Sequence, residues 1–389
     1  TLDILASGIR EEQRQFSQEL RFASADHGPF EYVVGLYYFN QDLETQARLI
    51  AGVDLGVYPY DVEGSIFADV DTDSYAAFAH GTYRLSDTLS LTGGLRYTRE
   101  EKTVLHSQQG DPLQLLLPNI APRSISMSEE NLSPTIGLNY EPNDDLFLYA
   151  TFAQGYKSGG FNVFSISPTD DAEYEPEHVN NYEIGAKSEF FDRRLQIDVS
   201  AYYLDYRNLQ ASQLLLINNL AVFQTSNAAR ARSVGAEISV MARPTAELTL
   251  AATYGYNEAT FPSYPNATST GADYTGHTLP RAPQNNASFS AQYERPLFGD
   301  VSLFARGELS HRSKIFFAAD NIHSEDPVTL FNARLGLQSS DGWGVYLWGR
   351  NLTDVDYAIY REAGAIVPGQ VIESLAAPQT FGLEVRGRF

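Results

Sequence analysis

"RLQIDVSAYY" (residues 194–203) is the stretch on which the fold turns. Leu195, Ile197, Val199 and Ala201 alternate with Gln196, Asp198, Ser200 and Tyr202. A period of two predicts a strand whose two faces meet different surroundings. The stretch before it, "YEIGAKSEF" (182–190), sets Tyr182, Ile184, Ala186 and Phe190 against Glu183, Lys187 and Glu189. Between them lies "FDR" (191–193), short enough for a tight turn between antiparallel strands. The polar face carries charges in mid-strand, such as Glu183 and Lys187. A packed sandwich core leaves such charges without water or partners, whereas a wide aqueous lumen solvates them.

The same alternation recurs outward from this hairpin. It is present in "LSLTGGLRYTRE" (89–100), "SVGAEISVMAR" (233–243) and "VSLFARGELS" (301–310), and about fifteen such segments are spread along the chain. Many reach ten residues, longer than the usual strand of about five or six. Connections alternate in length. Short ones near 24–29, 86–88, 141–145, 191–193, 243–247, 297–300 and 339–343 carry turn-forming Asp, Gly or Pro. Long ones are expected near 47–72, 105–128, 163–179, 214–229, 262–284, 318–327 and 361–378. Short turns at one end and long loops at the other describe an all-β, transmembrane, antiparallel up-and-down β-barrel. Propellers are disfavoured because no blade motif repeats. The chain closes on "FGLEVRGRF" (381–389), which places Phe389 in the aromatic girdle at the membrane interface.

Composition agrees. Tyr (24) and Phe (22) are abundant, Met is rare (2) and Cys is absent, which excludes disulfide and cysteine-based metal sites. No apolar run is long enough for a transmembrane helix. A net charge of −22 argues against nucleic acid as a partner. The first clear strand, "FSQELRFAS" (16–24), and the last run the same way, from the long-loop side to the short-turn side. Bacterial outer-membrane barrels have an even number of strands, so an upstream partner is expected.

Several strings resemble the barrel of TonB-dependent outer-membrane receptors: "LYATFAQGYKSGGFN" (148–162), "YEPEHVNNYEIGAKSEFFDRRLQIDVSAYYLDYRNLQ" (174–210), "RSVGAEISVMARP" (232–244) and "WGRNLTDVDY" (348–357). The resemblance implies a plugged barrel of about 22 strands, of which this chain is the C-terminal part with about fifteen. The N-terminal plug and the upstream strands would precede residue 1. It also implies active import of a bulky nutrient across the outer membrane of a Gram-negative bacterium, with a ferric siderophore foremost. Haem, cobalamin or an oligosaccharide are the alternative cargoes. The implied partners are the TonB–ExbB–ExbD energising complex, reached through the N-terminal region, the outer-membrane lipid and lipopolysaccharide, and the barrel assembly machinery, which reads the aromatic terminus. The implied state is a monomer without cofactor or enzymatic activity. A passive porin is the rival reading, distinguished by the lack of a plug.

Candidate contacts with a ligand are Lys157, Phe161 and the loop aromatics Tyr58, Tyr60, Phe164, Tyr264, Tyr274, Phe316 and Phe317. Aromatic platforms are common ligand surfaces, though Phe316 and Phe317 also suit the girdle. Gly159 and Gly160 suit a bulge where a strand leaves the membrane, and Asn351 and Asp354 suit a turn. "DVDTD" lacks the glycine and glutamate of an EF-hand loop, and no metal-like histidine spacing or catalytic motif occurs. Acidic residues at 170–177 and 320–326 predict an acidic mouth.

Overall fold

The computed structural model describes residues 5–25, 28–56, 59–114, 117–164, 173–217, 220–268, 271–363 and 370–387. Fifteen strands form one sheet in chain order, each antiparallel to its neighbours. The first six are β1 (Leu5–Ala23), β2 (Phe30–Ala51), β3 (Val62–Arg84), β4 (Leu89–Gln109), β5 (Ile120–Asn143) and β6 (Leu146–Lys157). Then come β7 (Glu177–Phe190), β8 (Leu195–Ile217), β9 (Leu220–Ala242), β10 (Leu248–Ser263) and β11 (Asn285–Phe298). The last four are β12 (Val301–Arg312), β13 (Val328–Ser339), β14 (Gly344–Arg350) and β15 (Thr380–Arg386). Among the described residues β1 and β15 each have one hydrogen-bonded neighbour and do not pair with each other. Three small hairpins decorate the sheet: 160–161 with 173–174, 315–316 with 324–325, and 358–363 with 371–375.

Residues directly opposite in register share a face, so the pairing assigns every side chain. Leu20, Leu36, Ala77, Tyr97 and Leu132 form one such row across β1–β5. Its large members are all exposed. On the opposite face Tyr149, Gly185, Ser200, Glu237, Gly255, Asn286 and Arg312 form a row across β6–β12. A single hollow of about 930 Å³ is lined from Tyr149 to Tyr357 along this polar face. A hollow that draws its wall from so many strands means that the sheet curls with the polar face inside. Val199 therefore sits on the outer face opposite Ala186 and Ile238, and Ser200 on the inner face opposite Gly185 and Glu237.

Glycines on the inner face make room for aromatic rings lying across the strands. A Cβ on Gly185 would stand 2.5 Å from the Tyr149 ring. Gly235 is likewise covered by the Tyr202 phenol. Such cross-strand cover protects backbone that glycine leaves bare.

The strands are longer than the alternation indicates. Crossing hydrocarbon takes about 9–11 tilted residues. β3, β4 and β5 contain 23, 21 and 24 residues, so each continues past a membrane as an arm. Among the described residues the segments 47–72, 105–128 and 214–229, expected as loops, are mostly strand. The reason is a reversal of faces. In the arm of β3, Val62, Ile66 and Ala68 are buried on the inner face, while Asp69, Asp71 and Asp73 lie on the outer one. Period two persists, but apolar residues now point inward, where Ala47, Ile66 and Leu117 cluster. The Asp69–Asp73 run is accordingly strand, not a loop entering one.

Candidate functional site

The loop rim of the curled sheet is packed into three clusters. The first is built around "GYKSGGFN" (155–162), which turns inward at the end of β6. Lys102, on the inner face of β4, donates from Nζ to Ser158 Oγ and to the Gly159 carbonyl, both at 2.6 Å, and pairs with Glu100 at 2.7 Å. The Glu129 carboxylate of β5 accepts from the Gly159 N–H at 3.1 Å and from the Tyr156 hydroxyl at 2.8 Å. These half-buried charges are tolerated because Lys102 is paired with Glu100 and Glu129 accepts two hydrogen bonds. Asn162 then makes a reciprocal pair with the Thr225 backbone, donating to its carbonyl at 2.9 Å and accepting its N–H at 2.8 Å. His106 Nε2 reaches the Val163 carbonyl at 3.1 Å, while Nδ1 is buried without a partner. Burial, with Arg123 adding to it and the Val163 bond opposing, holds the His106 imidazole below its ordinary pKa.

The second cluster joins the β8–β9 arm to the loop after β10. Register shifts between Tyr206 and Ala211 bend the arm. Tyr206, Leu209 and Ala211 thereby pack against Phe261, Tyr264 and Ala267. Tyr274 meets Tyr264 edge-on at 5.7 Å and stacks on His277 at 5.2 Å. The third cluster packs Ile315 and Phe317 against Ala358. Reciprocal bonds between Asn321 and Thr278, at 2.8 and 2.9 Å, tie the second cluster to the third.

The structure thus distributes the sequence-predicted aromatics among separate packing units. Tyr264 is fully enclosed and Phe317 nearly so, so neither ring offers a face to a ligand; both are spent on holding loops together. Phe164 is half-buried against Ala47, Ile66 and Leu117. Phe161 is half-buried opposite Glu173, Tyr274 is half-buried, and Phe316 lies under the Lys314 ammonium at 5.2 Å. Tyr60 and Lys157 are exposed, the latter opposite Glu177. Gly159 and Gly160 are buried, the first between Glu129 and the Tyr174 carbonyl. Asn351 (φ 50°) and Asp354 (φ 52°) form a left-handed turn, in which Asn351 Nδ2 donates to the Val355 carbonyl at 3.0 Å. Tyr58 and Phe389 lie outside the described residues.

Side chains not singled out from sequence as contacts form the inner wall below: Lys187, Asp198, Glu237 and Arg312. Charge at the lumen-facing parity is the signal that would have found them. The acids expected at the mouth are largely used in bonding: Glu177 accepts the Gln210 N–H and Glu325 pairs with Arg361. Among the described residues no three metal-ligating side chains converge.

The comparisons agree with this geometry. A family model described as "TonB dependent receptor-like, beta-barrel" matches residues 6–352. The chain is 23% identical over 374 residues to the pesticin receptor of Yersinia pestis, covering 95% of this chain and 51% of that protein. It is 25% identical over 295 residues to the ferric-pyoverdine M114 receptor PbuA of a Pseudomonas strain, covering 74% of this chain and 33% of that protein. The structure of the ferric yersiniabactin uptake receptor FyuA from Yersinia pestis superposes with a TM-score of 0.83 at 20% identity, over 99% of this chain and 55% of that one. At such identity the superposition speaks to fold alone. The chain spans about half the length of the pesticin receptor.

Proposed function

Because the chain belongs to the TonB-dependent receptor family, as part of its outer-membrane β-barrel, we propose that the protein carrying it imports a ferric siderophore or a related metal chelate. The family comprises non-enzymatic receptors of the Gram-negative outer membrane. The observation that carries the proposal is the match to receptors of metal chelates, namely ferric pyoverdine and ferric yersiniabactin, along most of this chain. A polar inner wall supports it, since a bulky polar cargo needs such a route through hydrocarbon.

In this reading the long loops face the medium and the short turns the periplasm. The exposed Tyr60 and Lys157 sit at the mouth and meet the cargo first, with Phe161, Phe164, Tyr274 and Phe316 as half-buried support. Tyr264 and Phe317 hold the loops in shape. Energy arrives through TonB with ExbB and ExbD from the inner-membrane proton gradient. The test is uptake of radioactive iron supplied as different siderophore complexes, in cells with and without the gene, with TonB intact or deleted. Gene-dependent and TonB-dependent uptake of one chelate is expected. Uptake that persists without TonB would support the passive porin instead.

A further inference from the structure

The inner wall of β12–β15 differs in charge from the rest of the molecule. Arg306, Arg334, Arg350 and Arg386 lie there against only Glu308 and Glu384, in a chain whose net charge is −22. Register puts them on adjacent rungs: Arg306 faces Arg334, Arg334 faces Trp348, and Arg386 faces Gly344. Two of the charges are cancelled. Arg306 grips Glu308 through Nη2 at 2.6 Å and Nε at 2.7 Å, and donates from Nη1 to Gln292 at 3.1 Å. Glu384 is shared between Arg386 and Arg334, the latter at 3.2 Å. One positive charge is therefore left over at Glu384, and another at Arg350.

Those two are under-satisfied. Arg334 stands over Tyr346, its guanidinium carbon 3.8 Å from the ring centroid; its Nη2 reaches only the shared Glu384, at 3.2 Å, and its Nε is buried without an acceptor. Arg350 stands over Trp348 at 5.3 Å and has no carboxylate partner among the described residues. Between them is a pocket of about 220 Å³. Its wall also includes Arg306, Asn332, Trp348 and the two carboxylates already paired, Glu308 and Glu384, so that three guanidinium groups face two acids. An aromatic-backed guanidinium keeps its fork fixed and weakly hydrated, which suits a planar two-oxygen anion. Under-satisfied buried N–H groups call for an acceptor that completes them.

We propose that this pocket binds a carboxylate, held by Arg350 and Arg334 against Trp348. The carboxylate has two sources of the same chemistry: a free small-molecule acid in the lumen, or an acidic side chain of a polypeptide segment seated against this wall. The inference does not depend on which cargo the receptor imports. It is tested on the full-length receptor in detergent, by the heat-induced mobility shift of the barrel on gels, comparing the parent with Arg350→Glu at matched ionic strength. If the acid is free, citrate raises the unfolding midpoint of the parent with its logarithmic concentration and leaves Arg350→Glu unmoved. If the acid is part of a polypeptide, citrate moves neither protein, but Arg350→Glu unfolds earlier than the parent at low salt and the gap narrows as salt is added. No citrate effect, together with a salt-independent Arg350→Glu, overturns the proposal. Should Arg350→Glu fail to reach the membrane, Arg350→Gln removes the charge without reversing it and carries the same comparison.

Discussion

Val199 and Ser200 are neighbours in the chain yet meet different solvents. Val199 is on the apolar outer row between Ala186 and Ile238, and Ser200 faces the lumen beside Glu237. Replacing Val199 with Arg should cost about 2–4 kcal/mol near the bilayer midplane. Ser200→Arg should be close to neutral, because its guanidinium would reach lumen water and Glu237. Urea titration of folding into vesicles reads both; the opposite ranking would shift the register of β8 by one residue. His106 gives a second residue-scale expectation. It lies in the β4 arm, beyond the roughly ten residues needed to cross hydrocarbon. Its folded pKa is depressed, so between that value and the ordinary one of about 6.5 the unfolded state binds more protons and stability rises with pH. The contribution is complete above about 6.5 and is lost as pH falls through the folded value. Protonation would put an N–H on the partnerless Nδ1 near Arg123. Hydrogen exchange at Val163 and Phe164, corrected for intrinsic rates, should therefore speed up on acidification. His106→Gln keeps an amide donor for the Val163 carbonyl but does not titrate, so it should flatten that dependence. An unchanged profile in the variant would remove His106 as its cause.

Elements were legible from sequence where one rule held along the whole strand, and less so where the rule changed sign. β8 reads plainly because Leu195, Ile197, Val199 and Ala201 share the outer face while Gln196, Asp198 and Ser200 share the inner one. The arm of β3 does not, because Ile66 and Ala68 are buried inward while Asp69 and Asp71 point out, and a reader scoring polarity sees a solvated loop. The loop aromatics misled for a related reason. A large ring in a long connection can serve a ligand or a loop core, and only the contacts of Tyr264 with Phe261 and Tyr274 decide for the core. Nor could sequence reveal that Lys102 and Glu129 hold Gly159, since the three meet only across strands. That hold can be measured. Lys102→Met leaves Glu100 without its counter-ion and removes two bonds to 158–159, and it should loosen segment 158–164 by about 3–5 kcal/mol. Arg99→Met breaks the exposed pair with Glu101 and should cost about 0–1 kcal/mol. Hydrogen exchange over 158–164 in the two variants separates them. Equal protection would mean that the Asn162–Thr225 pair alone anchors the loop.

At the scale of the whole molecule, the sheet has two unlike rims and a charge-divided inner wall. The connections at 85–88, 144–145, 191–194, 243–247, 299–300 and 340–343 share one rim, and the packed loop clusters occupy the other. Antiparallel order in chain sequence permits no other distribution, because every second connection must fall at the same end. The rims also differ in chemistry. The turn rim is held by short-range bonds within each turn, such as Arg194 N–H to the Phe191 carbonyl at 3.2 Å and Leu89 N–H to Ser86 Oγ at 3.1 Å, and its residues Phe191, Asp192 and Arg193 all take positive φ. Trypsin can distinguish the two ends. Lys157 and Arg281 are exposed on the loop rim, and Arg193 is exposed on the turn rim. With loops facing the medium, protease added to intact cells should cut after Lys157 or Arg281 and leave the bond after Arg193 whole. Opening the periplasm should then make Arg193 the fastest site, since its short turn is unprotected by packing. Cleavage after Arg193 in intact cells would invert the assignment, moving the loop clusters to the periplasmic side and with them the mouth at which cargo is proposed to enter.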